Sequence, residues 1–147
     1  TKWGATKITK AIKAMGHKAA EIHSDRTLGQ RKQALEGVKS GMYRILVATD
    51  IAARGIDVSG IQLVLNYDLP DDTENYVHRI GRTGRAGHEG HAISFAMPEQ
   101  KSLVREIEEL IRTAIPISEH PEIPVEKFAK PMSLFSSRGF KRRRGRR

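Results

Sequence analysis

Cysteine is missing from this 147-residue chain, and its absence excludes disulfide bonds and thiolate metal sites. A chain without cysteine suits a reducing compartment. No apolar run is long enough to span a bilayer and no charged-then-apolar leader opens the sequence, so we expect a cytoplasmic location and no membrane partner. The six histidines show no spacing typical of metal ligands, and we therefore expect no metal site in this chain.

The sequence also lacks the GxxxxGK[ST] loop with which many domains cradle nucleotide phosphates. Arginine, in contrast, is concentrated in HRIGRTGRAG at 78–87, where Arg79, Arg82 and Arg85 recur every three residues. This spacing brings side chains near one face of a helix or tight turn, and planar guanidinium groups suit phosphate oxygens. The cluster therefore predicts an anionic partner, with a solvated basic turn as the alternative. Because the chain has no phosphate cradle of its own, we expect it to supply one half of a nucleotide site whose other half lies on another domain.

Acidic residues are missing from the last ten positions, 138–147, which hold seven basic residues. The whole chain carries 26 basic and 17 acidic residues, so removing those seven leaves 19 against 17, close to balance. A run of like charge repels itself and cannot bury a core, so we expect a disordered tail that binds a polyanion. Three of its residues are the predicted RNA contacts, and they are Arg142, Arg143 and Arg144. A tail that serves only solubility is the alternative.

Apolar periodicity predicts alternating helices and strands. Helical spacing marks four segments, and they are residues 2–16, 27–41, 72–80 and the segment that starts at Pro98. Apolar and β-branched runs predict four strands, and they are 18–23, 44–49, 62–67 and 91–97. This alternation predicts an α/β fold in which a parallel sheet carries helices on both faces, with ligands at the carboxyl ends of the strands.

Proline marks where the predicted domain ends. The pattern of helices and strands stops at about residue 115, and four prolines follow, at 116, 121, 124 and 131. We therefore divide the chain into a domain over 1–115, a linker over 116–137 and the basic tail over 138–147.

Two long motifs show which family the sequence resembles. ATDIAARGIDV at 48–58 and YVHRIGRTGRAG at 76–87 resemble motifs V and VI of the DEAD-box RNA helicases, with NYDLP at 66–70 between them as in that family. IHSDRTLGQR at 22–31 looks like the stretch around motif IVa, in a form similar to the bacterial RhlE-like group. The resemblance covers about residues 1–117. It implies the second of two RecA-like domains, which bind ATP between them and RNA across both.

The resemblance implies roles on the ATP side. Arg82 and Arg85 would reach the γ-phosphate as arginine fingers that stabilise charge in the transition state. Asp57 would bond the ribose hydroxyls of ATP, and Gly55 would let the backbone approach the nucleotide closely. Mg²⁺ would be held by the first domain, which is absent from this sequence.

The resemblance also implies roles on the RNA side and between domains. Arg31 and Thr49 would contact the RNA backbone. His78 and Arg79 would hold the contacts with the first domain that couple hydrolysis to RNA, with simple packing as the alternative for His78. Asp50 is expected at least to organise its loop.

Two departures from the family pattern accompany these expectations. Leu28 stands where the family has a glutamine that faces RNA. The apolar strand that precedes Thr1 in relatives is not in this sequence, so we expect a sheet with one strand fewer and an exposed edge.

The favoured function is therefore the second domain of an ATP-dependent RNA helicase, inactive without the missing first domain. The alternatives are a non-catalytic RNA-binding module and the second domain of a DNA helicase. The combination of Asp57, Arg82 and Arg85 favours the first, because RNA affinity alone needs no carboxylate for a ribose.

Overall fold

The structure is a computed structural model, and it describes residues 1–85, 87 and 89–118. Helices and strands alternate along the chain, in the order α1 (Lys2–Ala14), β1 (Ala19–Ile22), α2 (Leu28–Lys39), β2 (Ile45–Ala48), α3 (Asp50–Ala53), β3 (Leu63–Asn66), α4 (Thr73–Ile80), β4 (His91–Ser94), a 3₁₀ turn (Pro98–Gln100) and α5 (Lys101–Ile111). Residues Thr1–Ala114 form one compact unit. Most of the predicted linker and the whole predicted tail lie outside the described residues.

The strands are parallel, as the sequence predicts, and they form two pairs. β1 pairs with β2, with Ile22 opposite Ala48, and β3 pairs with β4, with Leu63 opposite His91. Within the described ranges no ladder joins β2 to β3, so each pair is a separate two-stranded sheet. The predicted α/β class with parallel strands is confirmed, and the difference lies in the division of the sheet.

Side-chain caps fix where the helices next to the candidate site begin. Thr27 and Gln30 form a capping box: the Thr27 hydroxyl accepts from the Gln30 amide at 3.3 Å, and the Gln30 side chain accepts from the Thr27 amide at 3.0 Å. The Asp72 carboxylate accepts from the Glu74 amide at 2.8 Å and begins α4 in the same way. No helix in the described part of the chain combines the length and apolarity needed to cross a membrane.

The main core lies between β1, α2 and the segment that runs through and beyond α3. Its buried members are small or aliphatic, and they are Ala20, Ile22, Ala34, Ala52, Ile56 and Val58. Helix α1 contacts both β1 and β2, and α2 contacts both strands as well. Because Ile56 and Val58 belong to this core, the chain between α3 and β3 is held against it.

The two faces of the β3–β4 pair differ. Leu65 and Ile93 lie opposite each other and are 48% and 49% exposed, so the face that they share is apolar and open. On the other face Asn66 donates to the Ser94 hydroxyl at 3.0 Å, and Ser94 lies 3.4 Å from the Tyr76 hydroxyl of α4. Helix α4 therefore lies on the face that carries Asn66 and Ser94.

Candidate functional site

The turn after α4 touches the segment between α3 and β3 through Arg82. Its Nη1 donates to the Ile56 carbonyl oxygen at 3.0 Å, and its Nε donates to the His78 carbonyl oxygen at 3.2 Å. The second bond closes the turn beyond the helix, and the first joins it to the chain next to Asp57. The structure thus brings the regions of two predicted ATP-site residues, Arg82 and Asp57, together.

The position of Asp57 is fixed by its neighbours. Ile56 and Val58 are only 8% and 5% exposed, whereas Asp57 is exposed. The two buried aliphatic side chains anchor the backbone and leave the carboxylate in solvent. Asp57 forms no hydrogen bond or ion pair with any residue that the structure describes. Its two oxygens are therefore available to accept hydrogen bonds from a ligand.

Gly55 lies two residues before Asp57, in the left-handed conformation with φ of 76°. Non-glycine side chains adopt this conformation at a cost, so the turn itself favours glycine here. A Cβ built on Gly55 would have no heavy atom within 4 Å. The space beside the backbone is consequently open, as the predicted close approach of a ligand requires.

Arg79 is turned into the domain. Its Nε and Nη2 each donate to one carboxylate oxygen of Asp50, both at 2.6 Å. Its Nη1 donates to the Asp68 carbonyl oxygen at 2.5 Å and lies 3.4 Å from the Asn66 side-chain oxygen. Two parallel bonds between a guanidinium and a carboxylate form the strongest common ion-pair geometry. The side chain of Arg79 is 21% exposed and that of Asp50 42%.

This pair joins parts of the fold that no strand ladder connects within the described residues. Asp50 begins α3 directly after β2, Asn66 ends β3, and Arg79 belongs to the last turn of α4. The loop that contains Asp50 is therefore tied to the end of α4. The guanidinium of Arg79 is engaged inside the domain, so its predicted contact with a first domain would have to be additional. His78, its neighbour, has an exposed side chain.

Arg85 lies beyond the end of α4 and is exposed. Its Nε donates to the Gly81 carbonyl oxygen at 2.6 Å, which orients the guanidinium group. Arg82 is held by a carbonyl oxygen four residues earlier in the same way. The three arginines thus have different partners. Arg79 forms an ion pair with the Asp50 carboxylate, whereas backbone carbonyl oxygens orient Arg82 and Arg85.

Glycine at position 90 is a requirement that the sequence did not reveal. A Cβ on Gly90 would lie 2.3 Å from the backbone nitrogen of Gly84 and 2.4 Å from the Thr83 hydroxyl oxygen. No side chain fits that space, so Gly90 allows the chain that enters β4 to pass the turn between Arg82 and Arg85. The Thr83 hydroxyl also donates to the Ile61 carbonyl oxygen, and this bond holds the turn from the other side.

Thr49 and Arg31 lie on neighbouring elements at the carboxyl ends of β1 and β2. The Thr49 amide donates to the Ile22 carbonyl oxygen at 3.2 Å, and its hydroxyl makes no capping bond to α3. Arg31 lies in the first turns of α2 and is half-exposed, and its side chain has no partner among the residues described. Both can contact an external group. Outside the described residues lie the predicted tail contacts Arg142, Arg143 and Arg144.

A polar cluster at the end of β1 also escaped prediction. The Glu21 carboxylate binds the Arg26 guanidinium, and a Glu21 oxygen lies 3.6 Å from Nε2 of His23. That nitrogen is 3.2 Å from the Thr6 hydroxyl of α1, and His23 is 3% exposed. The cluster fixes the turn between β1 and α2. The signal for it was a glutamate inside an otherwise apolar strand.

In the described ranges no group of three or more potential ligands is arranged to hold a metal ion.

Comparisons with known sequences find related proteins. The family described as helicase conserved C-terminal domain matches residues 2–87. The chain is 46% identical over 136 residues to the ATP-dependent RNA helicase DeaD of Buchnera aphidicola subsp. Schizaphis graminum, covering 88% of the chain and 23% of that protein. It is 44% identical over 123 residues to the DEAD-box ATP-dependent RNA helicase CshA of Bacillus subtilis, covering 84% of the chain and 25% of that protein. The chain thus spans about a quarter of the length of these relatives.

Solved structures show the same fold. The E. coli DEAD-box protein SrmB, bound to regulator of ribonuclease activity A, superposes with a TM-score of 0.73 at 32% identity, over 78% of this chain and 68% of that one. The C-terminal domain of the DEAD-box protein Dbp5 superposes with a TM-score of 0.70 at 34% identity, over 76% of this chain and 66% of that one. The predicted RecA-like fold is therefore confirmed.

Proposed function

Because the chain belongs to the helicase conserved C-terminal domain family, as a C-terminal domain of the DEAD-box RNA helicases, we propose that it is the second half of an enzyme that unwinds or remodels RNA with ATP. One observation carries the proposal: the bond from Arg82 to the Ile56 carbonyl oxygen puts a guanidinium group next to the segment that presents Asp57. A site for RNA alone needs no such pairing of an arginine with a free carboxylate. ATP dependence is part of the names of the relatives DeaD and CshA.

On the ATP side, Asp57 would accept hydrogen bonds from the ribose hydroxyls. Its carboxylate is exposed and has no partner among the described residues. Its neighbours Ile56 and Val58 are buried and anchor the backbone in the core. Gly55 leaves open space beside its backbone, so the nucleotide can approach there. The ribose contact exists before and during hydrolysis, and it therefore contributes to affinity more than to rate.

Arg82 and Arg85 would face the γ-phosphate of ATP held by the first domain. The Nε bonds to backbone carbonyls orient both groups, and they leave Nη2 of Arg82 and both terminal nitrogens of Arg85 for phosphate oxygens. Donors fixed in advance stabilise the negative charge that spreads over the phosphoryl oxygens in the transition state. Mg²⁺ would neutralise part of the phosphate charge from its place on the first domain.

A chain of contacts links the RNA side to the ATP side. Thr49 is proposed to bind an RNA phosphate, and the next residue, Asp50, binds Arg79 through two hydrogen bonds. Arg79 lies one helical turn before Arg82 at the end of α4. Movement of the loop after β2 is therefore transmitted to the proposed arginine fingers. His78, exposed on the same helix, is proposed to contact the first domain, and Arg79 to do so in addition to its internal bonds.

RNA is the proposed partner of Arg31, Thr49 and the three tail arginines Arg142, Arg143 and Arg144. The half-exposed guanidinium of Arg31 and the uncapped hydroxyl of Thr49 support this assignment. The cytoplasm is the proposed compartment, since the proposed substrate is RNA and the similar proteins DeaD and CshA are bacterial.

The experiment joins this chain to a first domain from a DEAD-box relative and measures ATP turnover without nucleic acid, with single-stranded RNA and with DNA of the same sequence. We expect turnover that RNA stimulates more than DNA, and none from the 147-residue chain alone. Equal stimulation by DNA would favour a DNA helicase. A joined protein that binds RNA and never hydrolyses ATP would favour a binding module.

A further inference from the structure

One face of α1 presents the single tryptophan of the chain between lysines. Trp3 is 76% exposed, and Lys7 and Lys10 follow at the helical spacing that places all three on one face. The opposite face of the helix is packed, with Ala5 and Thr9 both buried. The exposed face is therefore not required for the fold.

The charge of this region is entirely basic. Residues 2–18 contain no acid and five lysines, Lys2, Lys7, Lys10, Lys13 and Lys18. Only Lys2 forms an ion pair within the described residues, with Asp25 at 3.0 Å. The side chains of Lys7, Lys10 and Lys13 are exposed and unneutralised there. Uncompensated charge at this spacing along a helix suits a ligand with several negative charges.

Trp3 is held at the end of this row of lysines. The Lys2 ammonium lies 5.8 Å from the centroid of the Trp3 ring, within the range of a cation–π contact. Since Lys2 is itself held by Asp25, the ring is oriented by two successive contacts while most of its surface stays in solvent. A flat, oriented and exposed indole is a surface on which a base can stack.

This face adjoins the proposed RNA surface. Lys2 binds Asp25, and the Thr6 hydroxyl lies 3.2 Å from Nε2 of His23, so α1 begins beside the turn between β1 and α2. The same turn leads directly into α2 with Arg31. A strand of RNA at Arg31 can therefore continue over this turn toward the start of α1.

We propose that Trp3, Lys7 and Lys10 form a further binding site for single-stranded RNA, in which a base stacks on Trp3 and the lysines contact phosphates. We call these three residues the α1 site. It rests on the proposed function only for the choice of RNA as the polyanion. A membrane surface does not fit, because a helix that lies on a membrane inserts an apolar face and that of α1 is packed against the strands.

Because Trp3 is the only tryptophan, its fluorescence reports on the α1 site alone. The 147-residue chain is titrated with a single-stranded oligouridine, with an RNA duplex of the same length and with polyglutamate, while a labelled RNA reports total binding by anisotropy. Stacking predicts saturable quenching of Trp3 by the single strand and much less by the duplex. RNA binding without a change in Trp3 emission would overturn the proposal, and so would equal quenching by polyglutamate, which would indicate an acidic polypeptide.

Variants test both parts of the α1 site. Trp3→Ala should weaken single-strand binding by about 5- to 150-fold, the range that corresponds to the loss of one stacked base, and Trp3→Phe should retain part of the affinity. Lys7→Gln with Lys10→Gln should lower the salt dependence by about 1.4 log units per log unit of salt, at about 0.7 for each phosphate contact.

The matched control is Lys39→Gln with Arg105→Gln, which removes the same charge from exposed positions on α2 and α5. It should leave the salt dependence close to that of the unmodified chain. Wild-type affinity in Trp3→Ala, or equal effects of the two double variants, would overturn the proposal. Arg31→Ala separates this test from the proposed function: it should weaken RNA binding and still leave quenching of Trp3 at saturation.

Discussion

At the scale of single residues, Arg82 and Arg85 are anchored and yet keep part of each guanidinium group free. Both use Nε for a backbone carbonyl oxygen four residues earlier, and Arg82 uses Nη1 for the Ile56 carbonyl oxygen. Anchoring through Nε fixes the plane of the group without consuming every terminal donor. Such preorganisation is what an arginine finger requires, because donors already in place need no reorganisation during reaction.

Replacing Arg82 in the joined two-domain protein tests this role. Arg82→Ala should lower the single-turnover rate of ATP hydrolysis by about 10³-fold or more, which corresponds to about 4 kcal/mol, and should change ATP affinity little. Arg82→Lys should recover little, because an ammonium group lacks the planar fork. The control is Arg54→Ala, at an exposed arginine just before Gly55. Its Nη2 donates to the Asn75 side-chain oxygen at 3.3 Å. Hydrolysis by Arg82→Ala at a near-normal rate would make Arg82 a structural residue.

Asp57 is expected to act on affinity instead. Asp57→Ala should weaken ATP binding by about 10-fold or more, since a hydrogen bond to a charged group contributes about 1.5–3 kcal/mol. The variant should also bind ATP and 2′,3′-dideoxy-ATP equally, whereas the unmodified protein should prefer ATP. Equilibrium titration with both nucleotides measures this, and Asp71→Ala, at another exposed acid, is the control. A retained preference for ATP would assign the ribose contact to another residue.

At the scale of elements, the Asp50–Arg79 pair ties the loop after β2 to the end of α4. The strands β2 and β3 are not hydrogen-bonded to each other in the part of the chain described, and Arg79 from α4 reaches the residues after both strands. The pair is partly buried and bonded at two points, so we expect it to contribute more than an ordinary surface ion pair.

A double-mutant cycle measures this contribution. Asp50→Ala, Arg79→Ala and the double variant are unfolded with denaturant, and the coupling free energy should be about 1–2 kcal/mol, between the values typical of exposed and buried pairs. The Lys32–Glu36 pair of α2 is the control, since its atoms are 3.9 Å apart and its side chains are 77% and 67% exposed. Its coupling should stay below about 0.5 kcal/mol. Equal coupling in the two cycles would show that Arg79 does not link the strand pairs.

The elements also show what the sequence can predict. The apolar run of β2 and the helical spacing of apolar residues in α2 can be read directly, and both elements are found close to the predicted bounds. The four-residue helix α3 is too short to show a period. The partnership of Arg79 with Asp50 joins residues 29 apart, and a single sequence carries no signal for such a distant contact.

The candidate site was predictable to a similar degree. Asp57, Arg82 and Arg85 were identified because two motifs of the sequence resemble those of a known family, and the structure adds the bond that joins their regions. Gly90 was not identified, because its importance depends on how closely Gly84 approaches it in space. Each motif is continuous in sequence, whereas the bond from Arg82 to the Ile56 carbonyl oxygen joins residues that are 26 apart.

At the scale of the whole molecule, positive charge is divided among three places. The residues near Arg31 and Thr49 and the α1 site belong to the compact unit Thr1–Ala114, whereas the basic run 138–147 lies outside the described residues. Outside that run, 19 basic residues stand against 17 acidic ones, so we expect this part of the chain to attract RNA through local patches and without a large net charge. Long-range attraction to RNA is therefore expected to come mainly from the tail.

Removing residues 138–147 tests this division. If most of the seven basic residues in that run contact phosphates, the affinity for single-stranded RNA should fall by about 0.7 log units per log unit of salt for each contact, and truncation should flatten the dependence by several units. A chain in which those ten residues are replaced by glycine and serine controls for length. Quenching of Trp3 by RNA should persist in the truncated chain at low salt, because stacking does not depend on the tail. An unchanged salt dependence would instead assign the phosphate contacts to Arg31, Thr49 and the α1 site.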